Sequence, residues 1–446
     1  MTDGWDLLPL EDLVAVLMDR RGVTPIKLGS DFQSAGHRVI SAKLIKNGRV
    51  ELSADQPRFV NESIYRKWMP GPLLADDVIL TSEAPIGEVA YISKSHSWCL
   101  GQRLFGIRTK KDKLHGRFLY YALKSDSVRD EMLSRATGTT AQGIRQSELR
   151  RIRIPLPPLS EQRAIASILG TLDDKIELNR QMNRTLEQMA QALFQSWFVD
   201  FDPVWAKKEG RQPVGMDADT AALFPDEFEE SELGLIPKGW EVEAFSSNID
   251  ILSGGTPVTK VPEYWNGKIP WVSIVDTAPG PYIINTKKTV TPLGVAESST
   301  TILPAETVVI TARGTVGQTV LMAYPMAMNQ SCYGLRGKKN VGQLYLLHQT
   351  RNLIERLKSN VHGSVFDTIT RDTFNSLTVV LPPKFLMQSY EQFVRPMFNL
   401  IRSNEEQTVT LGHLRDTLLP KLLSGELRVP ITAEDVLTQE VTSHGA

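Results

Sequence analysis

The sequence predicts an α+β fold made from one duplicated unit. It would hold two similar β-rich domains separated by two long antiparallel coiled-coil-like helices, a pseudo-two-fold internal repeat. Three observations predict it. A set of segments occurs twice in the same order: TSEAPIGEVAYI at 81–92 matches TARGTVGQTVLM at 311–322, and QRLFGIR at 102–108 matches QSCYGLR at 330–336. Residues 138–144 likewise match 363–369, and IPLPP at 154–158 matches VVLPP at 379–383. The offset drifts from 230 to 228 to 225 residues, as expected of one long unit copied once and then trimmed by small insertions and deletions. Short β-type runs bounded by Gly, Pro and Asp fill each copy. Each copy then closes on Pro-Pro, and residues of helical period follow.

Taken in order, residues 1–158 form the first domain, with strand-like runs at 77–81, 89–92 and 151–154 and a helix near 116–133. Residues 159–199 read as a helical spacer whose N-terminal region, around Ser160, offers a cap. Its rows Leu172, Asn179, Leu186, Leu193 and Leu169, Ile176, Asn183, Ala190 recur every seven residues, a seam that needs a helical partner. Residues 200–236 are a loop-rich acidic linker, expected to be a solvated surface segment. The second domain spans 237–383, with runs at 307–310, 319–322 and 377–381 and a helix near 341–357. A C-terminal helical spacer, 384–428, repeats the seam with Met397, Asn404, Leu411 and Leu418, flanked by Val394, Ile401 and Leu414. Asn179 and Asn404 occupy equivalent seam positions; they either face water at a helix edge or pair across the two helices and fix their register. Pro396 predicts a kink or a late start near 395, and Pro420 a kink or an end. A 40-residue helix would be about 60 Å long, enough to hold two domains apart. Residues 429–446 read as a tail.

Composition bounds the functional classes. With 446 residues, 41% hydrophobic and 23% charged, the chain is an ordinary globular protein of two or three domains. The N-terminus lacks a signal-peptide pattern and no apolar run reaches membrane-span length, so a cytoplasmic protein without membrane contact is expected. Two cysteines, Cys99 and Cys332, at non-equivalent places in the repeat, read as buried reduced thiols. The net charge of −1 is unevenly spread: 1–158 carries 24 Lys/Arg against 18 Asp/Glu, and 237–383 carries 13 against 10. By contrast 159–236 carries 7 against 15, and 384–446 carries 6 against 8. Basic repeated domains suit a polyanion, although charge this modest points to nucleic acid only weakly.

The motifs of catalysis are missing. Leu-Pro-Pro-Leu159 and Leu-Pro-Pro-Lys384 are not the Asn/Asp-Pro-Pro-aromatic signature that holds a flipped base. There is no GxGxxG and no GxxxxGK[ST], and the seven histidines lack ligand spacing. What remains is contact chemistry in the loops. The candidate DNA-binding residues are Lys43, Lys46, Arg58, Tyr65, Lys67 and Arg145 in the first copy. In the second they are Lys260, Tyr264, Lys268, Arg313 and Thr315. Lys and Arg neutralise phosphates, and Arg pairs bidentately with guanine. Trp265 and Trp271 read rather as core aromatics. Thr139, Thr140, Ser364 and Asp367 mark further candidate loops.

Longer stretches carry a family resemblance. They are LFQSWFVDFDP at 193–203, LGLIPKGW at 233–240, SGGTP at 253–257 with PEYW at 262–265, and LRDTLLPKLLSGE at 414–426, with Ser160-Glu-Gln162 opening the first long helix. The chain resembles the specificity (S) subunits of type I restriction-modification systems over nearly its whole length. The resemblance implies a non-catalytic subunit that reads a bipartite double-stranded DNA target with two target-recognition domains. It implies that the helices dock two methyltransferase (M) subunits, which restriction/translocase (R) subunits join. S-adenosylmethionine, ATP and Mg would then belong to those partners, with no cofactor or metal in this chain. The second helix departs from the pattern, opening Lys384-Phe-Leu-Met-Gln-Ser-Tyr-Glu391, which leaves the second docking surface less defined. Two competing readings are a non-DNA scaffold on a coiled coil and a DNA-modifying enzyme in its own right.

Overall fold

Val78–Thr81 and Val308–Thr311 are short runs of β-branched and apolar residues, buried at every position, and each is the third strand of a sheet. In the first unit the order is Val14–Asp19, Leu104–Thr109, Val78–Thr81, Val89–Tyr91, all antiparallel. The second unit repeats that order with Ile249–Ser253, Cys332–Gly337, Val308–Thr311 and Thr319–Met322, and adds Tyr282–Ile283 in parallel. A smaller sheet also recurs. His37–Ile40 pairs antiparallel with Phe59–Val60 and parallel with Cys99–Leu100, as Trp265–Val272 does with Lys288–Val290 and Ala327–Met328. Asp6–Pro9 with Arg153–Leu156, and Glu241–Ala244 with Thr378–Leu381, tie each domain's first strand to its last.

This computed structural model describes residues 5–138, 142–277, 280–360 and 368–429. Thr139, Thr140, Ser364, Asp367 and residues 430–446 of the expected tail therefore lie outside the described residues. The chain divides into two compact units, Met1–Lys175 with Leu411–Ala446, and Ile176–Thr410. The chain is α+β, as expected, and its repeat is one of topology as well as sequence.

The helix expected near 116–133 is two helices, Gly116–Lys124 and Asp126–Ser134, broken where Ser125 turns extended and its Oγ bonds the Ala122 carbonyl at 2.7 Å. The long helices are Leu159–Phe198 and Lys384–Leu423. Ser160 lies inside the first turn of its helix, because the Pro158 carbonyl already accepts from Gln162 N–H at 3.0 Å. Pro396 does not delay the second helix, which begins directly after Pro383. A helix-interior proline costs about 3 kcal/mol; Val394 and Phe398, both at 0% exposure, bury enough apolar surface beside it to outweigh that. Gly425, at φ 73°, follows the helix end, and Leu427 N–H closes back on the Lys421 carbonyl at 2.9 Å.

The acidic segment 200–236 is not a solvated linker. It forms helices Asp202–Lys208 and Ala218–Ala222 and a hairpin, Phe228–Ser231 with Gly234–Pro237. Val204, Phe224 and Ile236 are buried in the core of the second unit. These few apolar residues are spaced through ten acids, so the local charge hides an ordinary packing pattern. The motif LFQSWFVDFDP is explained by the same core. Phe198 packs edge-on against Tyr345 (5.1 Å) and Tyr390 (5.3 Å), and Phe201 against Trp240 (5.5 Å).

Within each unit the two long helices run antiparallel. In the second, Tyr390 Oη donates to the Ala190 carbonyl at 3.0 Å, and Asn404 Nδ2 donates to Asn183 Oδ1 at 2.9 Å. In the first, Arg415 pairs with Asp173 at 2.7 Å. Of the seam residues, Ile176, Asn179, Ile401 and Asn404 are buried; Leu172, Leu186, Leu193, Leu411 and Leu418 are partly buried. Leu414 is exposed and stands outside the seam.

Candidate nucleic-acid interface

A shared turn organises both units. Thr81 Oγ1 donates to the Pro85 carbonyl (2.6 Å) and accepts from Glu88 N–H (2.8 Å). Thr311 Oγ1 does the same with the Thr315 carbonyl and Gln318 N–H. The next residue knits in two more segments. Ser82 N–H bonds the Arg103 carbonyl and Ser82 O accepts from Ile144 N–H, while Ala312 N–H bonds the Ser331 carbonyl and Ala312 O accepts from Ile369 N–H. Each unit thus presents one corner assembled from three chain segments.

In the first unit this corner holds Arg145, exposed just before the helix Gln146–Arg151. Arg103, which the sequence reading passed over, is there too, paired with Glu83 at 3.1 Å. In the second it holds Arg313 and Thr315, both exposed. Thr256 hydrogen-bonds Gln330 there, which brings the loop that carries Lys260 to the same corner.

The other candidates lie on or beside the smaller sheets. Lys46 is exposed on a two-residue hairpin whose Asn47 and Gly48 both have positive φ (53° and 81°), as a type I′ turn demands. Arg58 is paired with Asp55 at 3.3 Å and lies over the Phe32 ring; Lys43 is exposed. Lys67 is exposed in the last turn of the helix Glu62–Trp68. Tyr65, on that same helix, is a core residue at 8% exposure, stacked on His37 at 4.2 Å; burial pushes its phenol up. Its place among basic residues concealed this, although Ile64, Tyr65 and Trp68 share the buried side of one short helix. Lys268 is exposed on the strand Trp265–Val272, and Tyr264 is half-buried. Trp271 is a core aromatic whose Nε1 donates to the Gly255 carbonyl at 3.0 Å.

Charge state separates these residues by use. Among the described residues, Lys46, Lys67, Arg145, Lys260, Lys268 and Arg313 make no ion pair. A free exposed cation neutralises a phosphate without first breaking a pair. Arg58 and Arg103 would have to give one up. Cys99 and Cys332 are buried and free, their thiols pushed up to about 12 by burial, which makes them poor nucleophiles. Among the described residues no group of His, Cys, Asp or Glu is arranged to hold a metal, and no helix is long and apolar enough to cross a membrane.

The helix starts account for the departure between copies. Gln162, at 1% exposure, accepts from His115 N–H (2.9 Å) and donates to the Lys113 (3.0 Å) and Pro157 (2.9 Å) carbonyls, stapling the first long helix to its domain. The second copy has Met387 in that place. Glu391, one turn on, instead caps the helix Gln343–Asn360 by accepting from Leu344 (2.6 Å) and Tyr345 (2.9 Å) N–H.

Two copies of one β-rich unit, each with a loop corner carrying unpaired cations, define a duplicated recognition protein. The chain belongs to the family described as the type I restriction modification DNA specificity domain, which matches residues 2–188 and again 237–407. It is a specificity subunit, a DNA-recognition component and not the catalytic one. It is 28% identical over 395 residues to the HindI specificity subunit of Haemophilus influenzae, covering 78% of this chain and 86% of that one. It is 25% identical over 429 residues to the MjaIX specificity subunit of Methanocaldococcus jannaschii, covering 95% and 94%. The crystal structure of a type I S subunit from M. genitalium shares the fold at a TM-score of 0.54 and 18% identity, over 96% of this chain and 97% of that one.

Proposed function

We propose that the two units each read one half of a split double-stranded DNA target, and that the two long helices dock two methyltransferase subunits through which restriction subunits join. S-adenosylmethionine, ATP and Mg are held by those partners in this reading, and the complex works in the cytoplasm. The observation that carries it is the repeated corner: the same backbone hydrogen bonds recur, but Ser-Glu-Ala at 82–84 faces Ala-Arg-Gly at 312–314. A conserved frame with exchanged side chains is what two different half-sites require. Free cations position each unit on the phosphates, and corner side chains read base edges. Each methyltransferase flips its adenine out of the stack. Helix length sets the unread gap between half-sites.

Binding of the chain with its methyltransferase partner to duplex DNA across a salt series tests this. Log K is expected to fall linearly with log salt, and Lys46→Ala or Lys260→Ala to reduce the slope by about 1 each. A flat salt dependence contradicts DNA binding.

A further inference from the structure

We infer that Arg21 is a specificity-determining residue of the first unit, presented to read a guanine edge; this rests on the DNA-reading role proposed above. Arg21 stands at the end of the edge strand Val14–Asp19, next to Gly22, whose φ of 83° allows the chain to reverse. Its guanidinium lies over the Phe105 ring, 4.3 Å from the centroid. Nε and Nη2 donate to the two carboxylate oxygens of Asp19 at 2.9 and 2.6 Å, and Nη1 donates to the Ile144 carbonyl at 3.2 Å.

An arginine has five N–H donors, and three are used here, which leaves one on each Nη. Two such donors on one plane match O6 and N7 of guanine. Because Asp19 offsets its charge, Arg21 is better suited to a base edge than to a phosphate. The ring beneath and the anchored side fix the rotamer in advance, so little side-chain entropy is lost on contact. The side chain is 31% exposed. It lines an open groove of about 710 Å³ with Val16, Asp19, Arg20, Glu83 and Gln146.

The second unit differs at this place. Sheet register aligns Asp19, opposite Phe105, with Ser253, opposite Tyr333, so Gly255 replaces Arg21. There Arg371 donates to Ser253 Oγ (3.2 Å) and the Ile251 carbonyl (2.9 Å) instead. One frame presents different donors in the two units.

The test is Arg21→Lys in the full chain with its methyltransferase partner, assayed for base preference at every target position. Lysine keeps the charge but lacks the planar fork. One G·C position in one half-site is expected to relax by about 5- to 150-fold in discrimination. The other half-site and the salt slope should be unchanged. Asp19→Asn, which keeps the side-chain shape and releases the charge of Arg21, is expected to steepen the salt slope by about 1. If Arg21→Lys left every base preference intact, Arg21 would be a turn staple and the inference overturned. If the unmodified complex showed no base preference at all, the DNA-reading role itself would fail first.

Discussion

Thr81 and Thr311 show how a single side chain holds a repeated turn. Each hydroxyl donates to one carbonyl and accepts from one amide across its turn. Thr311→Val keeps the shape and removes both bonds, so a loss of about 1–3 kcal/mol is expected in denaturant unfolding. Tyr390 is a second case: its hydroxyl meets the Ala190 carbonyl and His348 Nδ1, both at 3.0 Å, and Tyr390→Phe should cost about 1 kcal/mol. Glu405 gives a pH dependence. Burial, reinforced by Glu187, pushes its carboxyl up from 4.5 to about 8. The folded protein therefore holds a proton that the unfolded chain releases between those values. The contribution of Glu405 to stability falls as pH rises from about 4.5 to about 8, and levels off above. Glu405→Gln should flatten that part of the stability profile, read by melting at pH 5 to 9; an unchanged profile would show that Glu405 titrates normally. None of this was legible in the sequence, because burial of a single glutamate on a helix depends on what the fold brings against it.

The long helices were legible from period alone, which left their asparagines either facing water or pairing across the seam; the fold decides for pairing. Asn179 Nδ2 donates to the Asn404 carbonyl (3.3 Å) and Gln407 Oε1 (2.8 Å), and Asn183 Nδ2 to the Ile401 carbonyl (3.3 Å). Asn179 Oδ1 finds no partner among the described residues, so the cluster costs some stability. Its gain is register, since an apolar seam would also accept a slip. Replacing Asn183 and Asn404 together with Leu should leave the melting temperature equal or higher. Spin labels on exposed Gln181 and Ser403 should then report more than one distance where the unmodified chain gives one. A single unchanged distance would mean that apolar packing alone sets the register. Pro396 misled as a sign of a late helix start because its helix-breaking cost is local, whereas the burial that outweighs it comes from elsewhere in the fold. Segment 200–236 misled for the converse reason: its acids are adjacent in sequence, but its core residues are scattered.

For the whole molecule, duplication was the most legible property, since matched segments in matched order imply matched sheets. Which loop residues face DNA was less so. Basic and aromatic residues interleave equally in a core helix and in a contact loop, and only the fold separates Tyr65 from Lys67. Arg21 was missed because its role depends on Phe105 and Ile144, both distant in sequence. Each long helix passes from one unit to the other, at residues 175–176 and 410–411. Adding seven residues to each helix there is expected to lengthen the unread gap in the DNA target while leaving both half-sites as they were. An unchanged gap would contradict a measuring role for the helices. The most direct measurement of the central claim is sequencing of methylated adenines in a host expressing this chain with its methyltransferase partner. Two different short half-sites separated by a fixed unread gap are predicted, with changes in Arg313 altering only one of them. A single uninterrupted motif, or methylation without sequence preference, would contradict the account.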